Sequence, residues 1–597
     1  MNRSIHPPAA LRLPASAALV LTAFFVFSAA SWATDPLPDA PFDPQSSSGF
    51  MPCEDCSPTA PVGVQPGHPG GPPPLIGPNL EISDPQRPGT YGRSETALAA
   101  AESGRVVVVG WNDGEGYCGP PWFDEDCTVP FPADATPGAT GYAVSLDGGR
   151  SFDDRGAPFV GTRIGFGPGP DGASVTGRYV TAGDPSLDSG GPGGRRFYFA
   201  NRANFEDFKF FTAGISVHMG TVNRHGNLVL DDAALLQSPD FPYDILDKPH
   251  VATDHRPWSD LVTVSLTNFA FFGGYIGAGL GQIEAYTSAD AGATWSRSII
   301  QPTETIQAGV QGVVNQGSEP VVAPDGTIYV AWLRGYLSPF LHQGAINVWP
   351  QVRVARSEDG GATWQPPAPY PAGTVDNPAG TLVAGICAGD VFPPTGFNRI
   401  QSNSWPRITV ARSGPHRGRL YIVWQDCRIA NGGIMPAPLG PEDQFGLDLG
   451  HPDTDILLSY SDDRAATWSE PVVVAGGGDE LLQFWPTVSV GPSGVVDVTY
   501  SQAVETEGAY YKGDGPGTSL VDVYWKRSTD GGEHFGAPVR VTEETSDWDA
   551  TYSFLQPNFG DYNDALTLGE SLLVTWADGR TGVPAVDFAR TKGSDRR

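Results

Sequence analysis

Positive charge is scarce in this chain of 597 residues: 36 Lys and Arg stand against 67 Asp and Glu, a formal net charge of −31. Nucleic acid and anionic membrane surfaces are therefore excluded as expected partners, because phosphate neutralisation needs clustered Lys and Arg. The acidity needs no partner to explain it, since it keeps an exported protein soluble. Long apolar runs are also missing beyond one near the start, so no membrane span is expected. The ten histidines show no H-E-x-x-H spacing, and no nucleophile elbow, phosphate-binding glycine loop or dinucleotide fingerprint occurs.

The one apolar run, Ala15 to Ala30, follows Arg3 and Arg12 and ends at Ser31-Trp32-Ala33, small residues where a signal peptidase reads. Residues 1–33 are expected to be a secretory signal and the mature protein to be secreted, extracellular or periplasmic. Residues 34–78 hold 13 prolines and 6 glycines without apolar periodicity and are expected to form a disordered linker. All six cysteines lie beyond the signal. Cys118 and Cys127 flank one loop and make a first candidate pair, with Cys387 and Cys427 a second; sequence does not fix the connectivity. Cys53 and Cys56, inside the linker, suit a local disulfide or free thiols better than a metal.

What is abundant is a repeat. SEDGGATW at Ser357 to Trp364 has close copies at Ser145 (SLDGGRSF), Ser288 (SADAGATW), Ser461 (SDDRAATW) and Ser528 (STDGGEHF). Five copies cannot all be the active site of one enzyme, so the pattern points to architecture. Asp accepts hydrogen bonds from turn amides and hydroxyls, Gly permits positive φ, and the aromatic ring packs inward. Ala465 and His534 depart from the pattern.

Seven β-branched and aromatic runs begin at Val106, Arg196, Leu261, Thr327, Arg419, Val495 and Ser571. Each is preceded by a strand candidate such as WPRITVA and followed by a third that, in five units, runs into the repeated turn and a fourth. Four antiparallel strands repeated round an axis describe an all-β, seven-bladed β-propeller over residues 79–597, with six blades as the alternative. The last unit stops after its third strand, Ala585 to Thr591, while Asn79 to Asp84 is a spare strand. Pairing the two would close the ring and remove a sheet edge. A monomer is expected.

The repeated turn is identified as the Asp-box, or BNR repeat, and residues 79–593 resemble the sialidase-like family of secreted bacterial propellers. The resemblance implies a propeller and, as the family's reaction, exo-acting glycoside hydrolysis of sialidase type. It also implies an arginine triad, an Asp acid/base and a Tyr nucleophile helped by Glu. The Arg-Ile-Pro element that supplies one arginine is not found; the nearest strings are Arg163-Ile164-Gly165 and Trp405-Pro406-Arg407-Ile408. The family also contains non-catalytic members, so a glycan- or protein-binding propeller stands as the alternative to an enzyme.

In a propeller the box-bearing hairpins lie on one face, and the opposite mouth is lined by the starts of first strands and the ends of second strands. Read at those positions, Glu95, Glu319, Asp113, Asp426 and Asp561 are the candidate catalytic carboxylates, and Tyr562 is the candidate phenol. Arg93, Arg407 and Arg428 are candidates for gripping an anionic group, and Trp405 and Trp485 for stacking on sugar. Carbohydrate or a glycoconjugate is the expected ligand. No cofactor is expected; Asp124-Glu125-Asp126, in the Cys118 to Cys127 loop, could supply oxygens to a structural Ca²⁺, though it lacks the spacing of a dedicated loop.

Overall fold

A computed structural model describes residues 76–83, 92–101, 103–114, 138–158, 164–168, 174–177, 179–205, 212–238, 244–270, 281–307, 311–336, 348–366, 379–385, 405–426, 454–477, 481–503, 520–548 and 559–591. All six cysteines, Arg163, Arg428 and Asp124 to Asp126 lie outside these residues.

The predicted core runs become the second strands of seven antiparallel sheets: Val107–Asp113, Arg196–Phe205, Val262–Ala270, Ile328–Tyr336, Leu420–Asp426, Val496–Ala503 and Ser571–Asp578. Blades 1, 3 and 5 are four-stranded in chain order. Blades 2, 4 and 6 add a short fifth strand to the same scheme. The innermost strands touch in the order of the blades, and that of blade 7, Asp564–Leu568, returns to that of blade 1, Arg93–Ala100. The molecule is a seven-bladed β-propeller.

Closure follows the expected route. Leu80–Glu81 is the outermost strand of blade 7, pairing with Phe588 and Asp587. An isolated bridge carries the pairing back to Ile76 and Thr591, so contact begins three residues ahead of the expected start at Asn79. This pairing covers the edge that the third strand of blade 7, Ala585–Arg590, would otherwise expose.

Each blade is apolar on both faces because each has two neighbours. Separate clusters fill the interfaces: Val108, Phe197 and Phe199 between blades 1 and 2, for example, and Leu98, Trp111, Val586 and Phe588 between blades 1 and 7.

The five repeated turns occupy the connection between third and fourth strands in blades 1, 3, 4, 5 and 6. In blade 4, Ser357 Oγ donates to Asp359 Oδ1 at 2.8 Å and accepts from the Gly361 amide at 2.8 Å. Thr363 donates to the same aspartate through its amide at 2.9 Å and its hydroxyl at 2.6 Å. The other four repeat this scheme, with His534 Nδ1 standing in for a hydroxyl in blade 6.

Each turn also fastens its blade to the one before. Phe152 meets Phe588 of blade 7 edge-on at 4.8 Å, Trp364 Nε1 donates to Ser298 Oγ of blade 3 at 2.9 Å, and Trp468 packs into the cluster that blade 4 builds. The left-handed fifth position is pressed onto that neighbour: a Cβ at Gly149 would lie 2.7 Å from the Phe588 ring. Ala465 holds this position at φ 62°, and Ala291 and Arg464 hold the preceding one at φ 60° and 64°. A side chain in this region costs about 1–2 kcal/mol relative to glycine.

Candidate functional site

The innermost strands begin at the axis with a repeated backbone device. Glu95, Asp184, Lys248 and Trp485 are non-glycine residues with φ between 47° and 52°, and Gly317 has φ 64°. In blades 1, 3, 4 and 6 these residues sit where the register between first and second strands slips, as between Asp247 and His250. Such a bulge turns one side chain out of the sheet and aims it at the axis. In chain order the positions read Glu95, Asp184, Lys248, Gly317, Trp405, Trp485 and Tyr562. Gly317 is small because the Trp405 ring lies over it.

Lys248 is the hub of this layer. Its Nζ donates to Glu95 Oε1 at 2.9 Å, Asp561 Oδ1 at 2.9 Å and Asp184 Oδ1 at 3.1 Å. The ammonium also faces the rings of Trp405 and Tyr562, 5.0 and 5.3 Å from their centroids. Around it, Asn112 Nδ2 donates to Glu95 Oε2 at 2.8 Å, the Asp184 amide donates to Asn112 Oδ1 at 2.8 Å, and the Tyr562 hydroxyl donates to Pro185 O at 3.0 Å. Arg202 approaches Asp184 at 3.6 Å and Asp247 at 3.4 Å.

All of these groups except Arg202 and Asp247 are buried, and burial sets the electrostatics. It pushes the Glu95 carboxyl well above the ordinary range, and the Asp561 charge adds to that. Asp561 is pushed up by the same loss of water, against the pull of Lys248. Asp184 goes the other way, because Lys248 and Arg202 together outweigh its burial. Burial alone would pull Lys248 down; Asp184, Asp561 and Glu95 overcome it and hold the ammonium protonated. Burial, with Glu95 next in weight, raises the Tyr562 phenol well above its ordinary value. Asp184 carries the charge that answers Lys248, while Glu95 and Asp561 lean toward their neutral forms.

Next along each strand comes a layer that stitches the blades together. Glu319 Oε1 accepts from Arg407 Nε at 3.0 Å and Oε2 from the Ile408 amide at 2.7 Å, tying blade 4 to blade 5. Arg407 continues to Asn563 O at 3.0 Å and Asp564 Oδ1 at 3.3 Å, while Asp564 Oδ2 accepts the Leu98 amide at 2.8 Å. Ser186 Oγ accepts the Val251 amide in the same manner at 3.0 Å.

The candidate residues thus divide. Glu95, Asp561, Tyr562 and Trp405 meet at Lys248, and Trp485 lines the same small cavity together with His250 and Arg407. Glu319 is committed to Arg407 and the Ile408 amide. Asp113 and Asp426 accept the indole N–H of Trp111 at 3.4 Å and Trp424 at 3.0 Å, two residues back on the same strand; Arg93 approaches Asp113 at 3.7 Å. Asp184 and Lys248 also stand at starts of first strands in the sequence, but neither they nor His250 are among the candidates named from it. The signal available was the recurrence of Asp184-Pro185, Lys248-Pro249, Trp405-Pro406 and Trp485-Pro486 at one position of four blades.

The cavity bounded by Trp405, Trp485, Arg407, Asp561 and Tyr562 measures about 10 Å³. That is room for one water, where a small-molecule pocket usually offers roughly 300–1,000 Å³. Trp405 and Trp485 are 6% and 4% exposed, so neither presents a ring face to solvent.

No family model and no curated protein matches the chain. Solved structures with a similar fold include a protein of unknown function from Dyadobacter fermentans (11% identity, 86% of this chain and 97% of that one, TM-score 0.37). A Hadza microbial sialidase aligns at 12% identity over 87% of this chain and 94% of its own, TM-score 0.38. The Trypanosoma rangeli sialidase aligns at 10% identity over 73% of this chain and 58% of its own, TM-score 0.36.

Proposed function

We propose that this chain is an exported, glycan-binding propeller whose axial cluster is structural and does not hydrolyse a glycosidic bond. The observation that carries this reading is the saturation of the axis: three carboxylates share the Lys248 ammonium, and the cavity beside them has room for no more than one water. A hydrolytic acid needs a sugar oxygen within hydrogen-bond reach, and a pyranose does not fit where a single water does. Arg407, the best-placed candidate for an anionic substrate, already spends its three nitrogens on Glu319, Asn563 and Asp564. Carbohydrate as the ligand class is supported by the Asp-box resemblance.

One observation favours the hydrolytic reading, an exo-glycosidase of sialidase type. Glu95 and Asp561 contact the same ammonium at 2.9 Å each, so their oxygens lie no farther apart than the two contacts combined. Retaining glycosidases place their carboxyl groups about 5–5.5 Å apart, and a carboxyl pushed up by burial is a suitable acid. The two readings separate when purified mature protein is applied to an immobilised glycan array and, in parallel, to a sialoside and a panel of aryl glycosides. Retention without release is the expected result; release of sugar would overturn the binding reading.

A further inference from the structure

On the face opposite the Lys248 cluster, a solvent-open groove of about 570 Å³ lies where blades 3, 4 and 5 meet. Five turns build it: residues 254–261 of blade 3, 323–327 of blade 4, and the repeated turns that carry Ala289, Glu358 and Arg464. At its lip stands Trp258, 79% exposed, the only aromatic among the large apolar side chains left exposed in the described residues. Its indole offers a flat apolar face, open to solvent, on which a ring can stack.

The floor is polar and organised. Arg464 Nη2 donates to Thr327 Oγ1 at 2.8 Å and lies 3.4 Å from Asp325 and 3.2 Å from Glu358. Arg256 Nη1 donates to Asp325 O at 3.0 Å, and its guanidinium passes over Gly326, whose missing side chain makes the crossing feasible. The backbone supplies a second, independent sign. Blades 1, 4 and 6 have glycine at the fourth position of the repeated turn (Gly148, Gly360 and Gly531), whereas blade 3 has Ala291 there at φ 60° and blade 5 has Arg464 at φ 64°. In blade 5 that left-handed residue carries a guanidinium into the groove.

We propose that this groove binds a neutral saccharide, with a sugar ring stacked on Trp258 and its hydroxyls bonded to Arg464, Asp325 and Glu358. Its size is that of a small-molecule site. Arg256 and Arg464 are answered by Asp254, Asp325 and Glu358, which leaves no excess positive charge for an anionic sugar. Paired carboxylates and guanidiniums are donors and acceptors suited to hydroxyls. The groove lies at the other end of the strands from the axial cluster, so the proposal stands whether or not that cluster is catalytic.

The test is titration of the full mature protein with cellotetraose, xylotetraose and chitotetraose, followed by calorimetry and tryptophan fluorescence. At least one should bind and shift the emission of the exposed indole. Trp258→Ala should weaken that binding at least tenfold. Arg464→Gly, which restores the residue the turn prefers, should weaken it several-fold while the melting temperature holds or rises. Binding that persists unchanged in both variants would place the sugar elsewhere and overturn the groove while leaving a glycan-binding propeller intact. Failure of all three sugars to bind would overturn the groove proposal. Loss of self-association in Trp258→Ala, without any sugar response, would make the patch a protein contact and overturn it too.

Discussion

At the axis, Glu95 and Asp561 share one ammonium out of water, and burial pushes both carboxyls up. At the outer turns, Asp290 and Asp359 sit in solvent, and donors led by the Thr294 and Thr363 hydroxyls hold their carboxyls down to about 2. Both are polar clusters built on an aspartate or glutamate, and composition alone does not separate them. The difference lies in supply: each turn aspartate receives donors from its own loop and keeps its hydration, whereas three axial carboxylates must divide one lysine. A buried acidic cluster depends on the few cations that reach it, while an exposed one depends on local hydrogen bonds.

The largest expected effect follows from that dependence. Lys248→Met strands three buried carboxylates and should cost about 3–5 kcal/mol in denaturant unfolding. Adding Asp184→Asn should recover much of it, because the carboxylate that answers the ammonium is then removed with it. A loss under about 1 kcal/mol for the single variant would mean that the axis is wetter than described.

The seam of the ring offers the next test, through pH. Asp587, in the third strand of blade 7 opposite Glu81, is pushed up to about 7 by burial and by Asp578. Its folded pKa lies above its unfolded value, so its stabilising contribution is complete below the usual carboxylate range and is lost as pH rises toward 7. Asp587→Asn should therefore flatten the stability profile between about pH 4 and 7 and favour the variant at pH 8, by on the order of 2 kcal/mol. The turn aspartates have the opposite sign: their contribution is present above the unfolded value and is lost as pH falls through about 2. Smaller still, Asp359→Ala removes hydrogen bonds at one exposed turn and should cost about 1 kcal/mol in urea unfolding. Ala291→Gly relieves a left-handed alanine and should gain less than about 1 kcal/mol, since glycine also loosens the unfolded chain.

Architecture was legible because it is local and repeated. The runs at Val106, Arg196, Leu261, Thr327, Arg419, Val495 and Ser571 each lie within one residue of an observed second strand, and the unpaired strand at Asn79 found its partner in the unit that lacked one. The axial cluster was legible only in part. Lys248 draws its three carboxylates from positions 64, 153 and 313 residues away, in blades 2, 1 and 7, and no spacing rule spans such separations. Asp113 and Asp426 illustrate a nearer signal. Each stands two residues after a tryptophan on one strand, which puts indole and carboxylate on the same face and within bonding reach. Alternation along the strand therefore pointed to an indole acceptor as well as to a rim carboxylate.

The most direct test of a sealed, structural axis is sugar release from a sialoside and an aryl-glycoside panel by the purified protein and by Glu95→Gln. The account predicts no release by either protein, with Glu95→Gln folded. Turnover by the parent that disappears in a folded Glu95→Gln would contradict it.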